Sequence, residues 1–112
     1  VQHLQVQQDV YTRMSNSGYM DEFRDEINLY FLHSFYAETF YFMAARRMPM
    51  PAVMLRYMIN VVKKYIPDYK DNPYIGYPGV REEMESLKLI DCAGLLDDEL
   101  EKMAADYMRN CI

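Results

Sequence analysis

Residues 21–47 read DEFRDEINLYFLHSFYAETFYFMAARR, and their reading decides the fold. The stretch opens on carboxylates, runs through an almost continuous apolar and aromatic middle, and closes on two arginines. Anions at the start and cations at the end complement a helix macrodipole. Between Leu29 and Ala45 only His33, Ser34, Glu38 and Thr39 are plainly polar. A surface helix carries one apolar stripe, whereas this one is apolar on most sides. It is predicted to be the buried central helix of an all-α domain, a bundle of about five helices around residues 21–47. Asp21 is its expected N-cap. Phe23, Ile27, Tyr30, Phe31, Phe35 and Phe42 are assigned to one inner face, and Leu29, Leu32, Tyr36, Phe40 and Met43 to the adjacent one.

The flanks extend this pattern. Residues 1–17 predict a helix stopped by Ser15 to Gly18, with Gly18 in the left-handed position that follows a helix end. Met48-Pro49-Met50-Pro51 must end the central helix, because the residue before each proline is driven out of the α region. The next helix is predicted over 51–65, with Val53, Met54, Tyr57, Met58, Val61 and Val62 inward and Arg56, Lys63 and Lys64 on the other side. Residues 68–79 hold turn formers and tyrosines and predict an ordered, aromatic-pinned loop. A fourth helix is expected from Pro78 or Gly79 to about Leu89. A fifth is expected over 95–110, with Leu96, Leu100, Met103, Ala104 and Tyr107 inward.

A chain of 112 residues with 51% hydrophobic residues fits a single domain, residues 1–112, with a real core. The ten methionines and eleven tyrosines suit an amphipathic margin around that core. A net charge of −5 argues against a nucleic-acid binder. The charge is uneven: net −4 over residues 1–45, +5 over 46–70 and −6 over 71–112. Arg46, Arg47, Arg56, Lys63 and Lys64 therefore form a candidate face for an anionic partner or a membrane surface. The ordinary reading of the same cations is complementation of helix ends and pairing with the acidic flanks.

Two cysteines, Cys92 and Cys111, make no disulfide framework and are expected to be reduced thiols of a cytoplasmic chain. The apolar run is short for a membrane span and is interrupted by His33 and Glu38. No phosphate loop or nucleophilic triad motif occurs. Glu22, Glu26 and His33 fall near one helix face, but a lone ligand face without its partner helix is weak evidence for a metal. Glu38 is expected to bond a tyrosine hydroxyl or a cation, with Arg46 and Arg56 as named partners. His3 is expected to be exposed.

One combination carries more. Glu22-Phe23-Arg24-Asp25-Glu26-Ile27-Asn28-Leu29-Tyr30-Phe31-Leu32 with Phe35-Tyr36-Ala37-Glu38-Thr39, followed by Pro67-Asp68-Tyr69-Lys70-Asp71-Asn72-Pro73-Tyr74-Ile75, resembles the helical tail of bacterial family 2 glycosyltransferases. The likeness covers about residues 3–77 and is loose beyond them. It implies a parent enzyme that moves a sugar from a nucleotide-sugar donor during surface-polysaccharide synthesis, with a divalent metal held in a preceding GT-A domain. The family's Asp-x-Asp, its catalytic Asp and its Gln-x-x-Arg-Trp motif have no counterpart here. The chain is thus expected to be a C-terminal fragment with no catalytic, cofactor-binding or metal residue of its own. Its expected partners are the parent GT-A domain, a second copy of itself, or the inner face of the membrane. The alternative is a non-enzymatic helical interaction or regulatory module.

Overall fold

In the computed structural model, which describes residues 2–111, helix α1 (Gln2–Asn16) ends as its turn residues require, with Gly18 at φ 89°. Helix α2 (Met20–Phe31) then runs without a break into a π-helical segment (Leu32–Ala37) and on into α3 (Glu38–Ala45). Phe23 (φ −118°, ψ 30°) kinks the first turn of α2, and from Arg24 to Ala45 the run extends roughly 33 Å at 1.5 Å per residue. Helix α4 (Ala52–Tyr65) follows the Met-Pro exit. A 3₁₀ turn (Tyr69–Asp71), the short α5 (Val80–Glu83), a 3₁₀ stretch (Glu85–Cys92) and α6 (Asp97–Met108) complete the chain. The fold is all-α, five helical runs in a compact bundle, with no strand among the described residues.

The central run is the core, as its composition requires. Phe31 and Phe35 stack with centroids 4.8 Å apart, and Tyr36 meets Phe40 edge-on at 5.1 Å. Leu55, Met58 and Ile59 from α4, Leu89 and Ile90 from the 3₁₀ stretch, and Leu100 and Ala104 from α6 close over them. Several polar groups inside are bonded locally or across elements, whereas Ser86 Oγ and the Tyr107 hydroxyl have no partner among the described residues. Thr39 donates to the Phe35 carbonyl at 2.8 Å, Tyr11 on α1 donates to Asn28 Oδ1 at 2.7 Å, and Tyr36 donates to the Ser86 carbonyl at 3.0 Å.

Several assignments shift. The first helical turn starts at Met20 with Tyr19 in the capping position, and Asp21 sits inside the turn without capping it. Phe23, Tyr30 and Phe42 are exposed, while Ile27, Phe31 and Phe35 are buried as expected. Phe42 shows why. It lies eleven residues after Phe31, which is about three turns of an ideal α-helix and would share its face. The intervening π turn closes i to i+5 bonds and absorbs about one extra residue, which rotates everything after it. Phe40 and Met43 are buried, as assigned. On α4, Leu55 and Ile59 take the inner positions assigned to Val53 and Tyr57, both of which are exposed. The expected fourth helix is split into α5 and the 3₁₀ stretch. On α6, Leu96 and Met103 are exposed, while Leu100, Ala104 and Tyr107 are buried.

Candidate functional site

The central run ends in a paired C-terminal cap. The Arg47 amide donates to the Ala44 carbonyl at 3.0 Å and the Met48 amide to the Met43 carbonyl at 2.9 Å. This is the double closure of a Schellman motif, with Arg47 in the left-handed position at φ 54°. Pro49 follows and forbids further helix. The Arg46 guanidinium lies 3.6 Å from the Phe42 ring centroid, so the ring that the π turn expelled serves as a shelf for a cation. Between this exit and α6 is an open cleft of about 510 Å³. Ala44, Met48 and Pro49 line one side and Met108 the other, with Arg47 and Arg109 at the rim. Arg109 pairs with Asp106 one turn earlier. Arg47 makes no ion pair among the described residues.

The other three cations of the sequence-predicted face lie elsewhere. Arg56 is built into the scaffold: Nε donates to Asp97 Oδ1 at 2.8 Å, Nη1 to the Ala93 carbonyl at 2.7 Å and Nη2 to the Leu95 carbonyl at 2.6 Å. The guanidinium fork thereby ties α4 to the loop that leads into α6. Lys63 and Lys64 occupy the last turn of α4, about 18 Å along the axis from its start at Ala52. The structure therefore places Arg47 at the cleft and Arg46 over Phe42 beside it, and puts Lys63 and Lys64 on another helix. Met108 and Arg109 were missed as members of that cleft. Arg109 is visible in sequence only as a cation in a last helical turn, and nothing in the spacing places α6 beside the α3 exit.

A second hollow, of about 290 Å³, lies over the π segment, with Glu26, Tyr30, His33, Glu83 and Met84 around it. His33 Nδ1 is 3.9 Å from Glu38 Oε2, and Nε2 is 3.5 Å from Glu83 Oε2. The π register brings residues 33 and 38 together, so Glu38 faces His33 rather than the expected Arg46 or Arg56. Glu26 is occupied by the Tyr74 hydroxyl, whose ionisation the carboxylate pushes up. Among the described residues no cluster of three or more His, Cys, Asp or Glu side chains is placed to hold a metal ion. His3 is exposed, with Nε2 3.1 Å from the Ser34 carbonyl oxygen. Cys92 and Cys111 are free and half-buried. No helix among the described residues is long and apolar enough to cross a membrane.

The loop of residues 68–79 is pinned through Tyr69, Lys70, Asn72 and Tyr74. Tyr69 is buried, Lys70 Nζ bonds Asp91 at 2.9 Å, and Tyr74 meets Tyr77 edge-on. Asn72 donates to the Asp25 carbonyl on α2 at 2.9 Å and accepts from the Tyr74 backbone amide at 2.9 Å. Comparison of the chain with models of protein families, with curated proteins and with solved structures gives no match.

Proposed function

We propose that the chain is the non-catalytic helical tail of a bacterial family 2 glycosyltransferase, packed on a catalytic domain that carries the metal and the nucleotide-sugar site. One observation supports this reading. The two stretches that carry the resemblance, residues 22–39 and 67–75, touch each other through the Asn72–Asp25 and Tyr74–Glu26 bonds. A similarity spread by chance along the chain has no reason to converge on one clamp. The surface beside the clamp is also suited to packing. Tyr19, Phe23 and Tyr30 are exposed next to Met14 around an apolar hollow of about 330 Å³, and a catalytic domain resting there would bury them. In this role the tail sets the position of the catalytic domain on the cytoplasmic side of the membrane and supplies no reacting group.

The coding sequence ahead of Val1 tests the proposal. It should contain an α/β region of about 200 residues with an Asp-x-Asp. The reading fails if that region is absent. The same exposed aromatic hollow favours the second reading, a free-standing interaction module, and the upstream sequence separates the two.

A further inference from the structure

The end of α3 holds an arginine where glycine is easier. A side-chain-bearing residue in the left-handed region is strained relative to glycine. Arg47 adopts φ 54° there. Helix-end complementation does not require it, because Arg46 already sets a cation at the C-cap with an unstrained backbone of φ −95°. Salt bridging does not require it either, since Arg47 has no acidic partner among the described residues. Its distinguishing feature is its place at the rim of the α3–α6 cleft, whose walls are Ala44, Met48, Pro49 and Met108. A cation above an adaptable apolar wall is complementary to a molecule with an anionic head and a hydrocarbon body.

We propose that this cleft seats the phosphate headgroup of an anionic phospholipid at a membrane surface. Arg47 meets the phosphate in the forked geometry that guanidinium offers to phosphate oxygens. Met48, Pro49 and Met108 lie against the glycerol and upper acyl region. Free phosphate leaves that apolar wall without a partner, which is why a lipid is the assigned source. Three features oppose an anion. The cleft lies at the C-terminal ends of α3 and α6, where helix dipoles are negative, Asp106 offsets part of the Arg109 charge, and the whole chain carries net −5. The attraction is therefore local, confined to a Debye length of about 8 Å at physiological salt, and falls with added salt. The inference stands independently of the glycosyltransferase reading.

Co-sedimentation with vesicles tests it. The protein should sediment with vesicles containing phosphatidylglycerol and remain in the supernatant when the vesicles are pure phosphatidylcholine. Arg47→Gly should weaken that binding about fivefold, the share of one basic residue near an anionic surface. The same variant should melt no lower than the parent, which separates lost recognition from lost folding. Met48→Ser should weaken vesicle binding as well. Equal binding to both vesicle types overturns the proposal, as does unchanged binding in a folded Arg47→Gly. Titration with inorganic phosphate covers the other source: uptake that Arg47→Gly abolishes and Met48→Ser leaves intact would replace the lipid by free phosphate.

Discussion

The side-chain amide of Asn72 donates to the backbone carbonyl of Asp25 at 2.9 Å, joining the proline-rich loop to the first half of the central helix across 47 residues of sequence. Asn72 is buried, and its other face is taken by the Tyr74 amide. Asn72→Ala removes an acceptor and a donor at once. It should destabilise the protein by about 1–3 kcal/mol, the cost of leaving partly buried polar groups unpaired. Urea unfolding measures this, and Tyr74→Phe, at a more exposed bond, should cost less.

Arg47→Gly should raise stability by up to about 1 kcal/mol, because the left-handed position no longer opposes a Cβ. Part of the gain is offset by the larger conformational freedom of glycine in the unfolded chain. Arg47→Ala keeps the Cβ and should bring no gain. Thermal melts of the three proteins side by side decide it, and a loss on Arg47→Gly would mean that the side chain itself holds the fold.

The Arg56 fork predicts that lysine will not substitute. A lysine ammonium cannot reach Asp97 and both carbonyls of Ala93 and Leu95 in one planar arrangement. Arg56→Lys and Arg56→Met should each lower stability, by about 1–2 kcal/mol. Hydrogen exchange should localise the loss to residues 93–97. Full rescue by lysine would reduce the role of Arg56 to charge alone.

Burial pushes the phenol of Tyr36 well above its ordinary 10.0, and burial raises Tyr107 likewise. A group with a raised folded pKa contributes its stability below the unfolded value and loses it as pH rises toward the folded one. Stability should thus be flat with respect to these tyrosines up to about pH 9. Beyond pH 10 it should fall by about 1.4 kcal/mol per pH unit for each tyrosine that ionises only in the unfolded chain. Denaturant midpoints from pH 8 to 11 test the sign. Tyr36→Phe should be less stable at neutral pH, having lost its bond to the Ser86 carbonyl, yet should show a shallower alkaline fall.

The central helix, its partners and the pinned loop are readable from sequence because they rest on local chemistry: apolar runs, prolines, and Gly18 at a turn. Position within a helix is less readable wherever period is not 3.6. A count of residues puts Phe42 inward, which is correct for an α-helix and wrong by one residue across Leu32–Ala37, and no residue in LHSFYA announces a π turn. Val53 and Tyr57 lost their inner places to Leu55 and Ile59 because α4 is apolar on more than one side, so composition alone leaves its rotation open. Of the basic face, the pair Arg46–Arg47 was legible as a helix exit. Its apolar wall on α6 was not, since Met108 and Arg109 reach it only through packing of elements some sixty residues apart.

The π segment also fixes where the molecule is sensitive to length. Leu32–Ala37 stores one surplus residue in the middle of a continuous rod. Deleting a single residue there would restore ordinary helical pitch and turn residues 38–45 by about 100° as a block. Phe42 would swing toward the core, Phe40 toward water, and the Arg46–Arg47 exit would face a different neighbour. The direction in which the basic exit points is thus set by a residue count some ten positions upstream, inside the best-packed part of the protein.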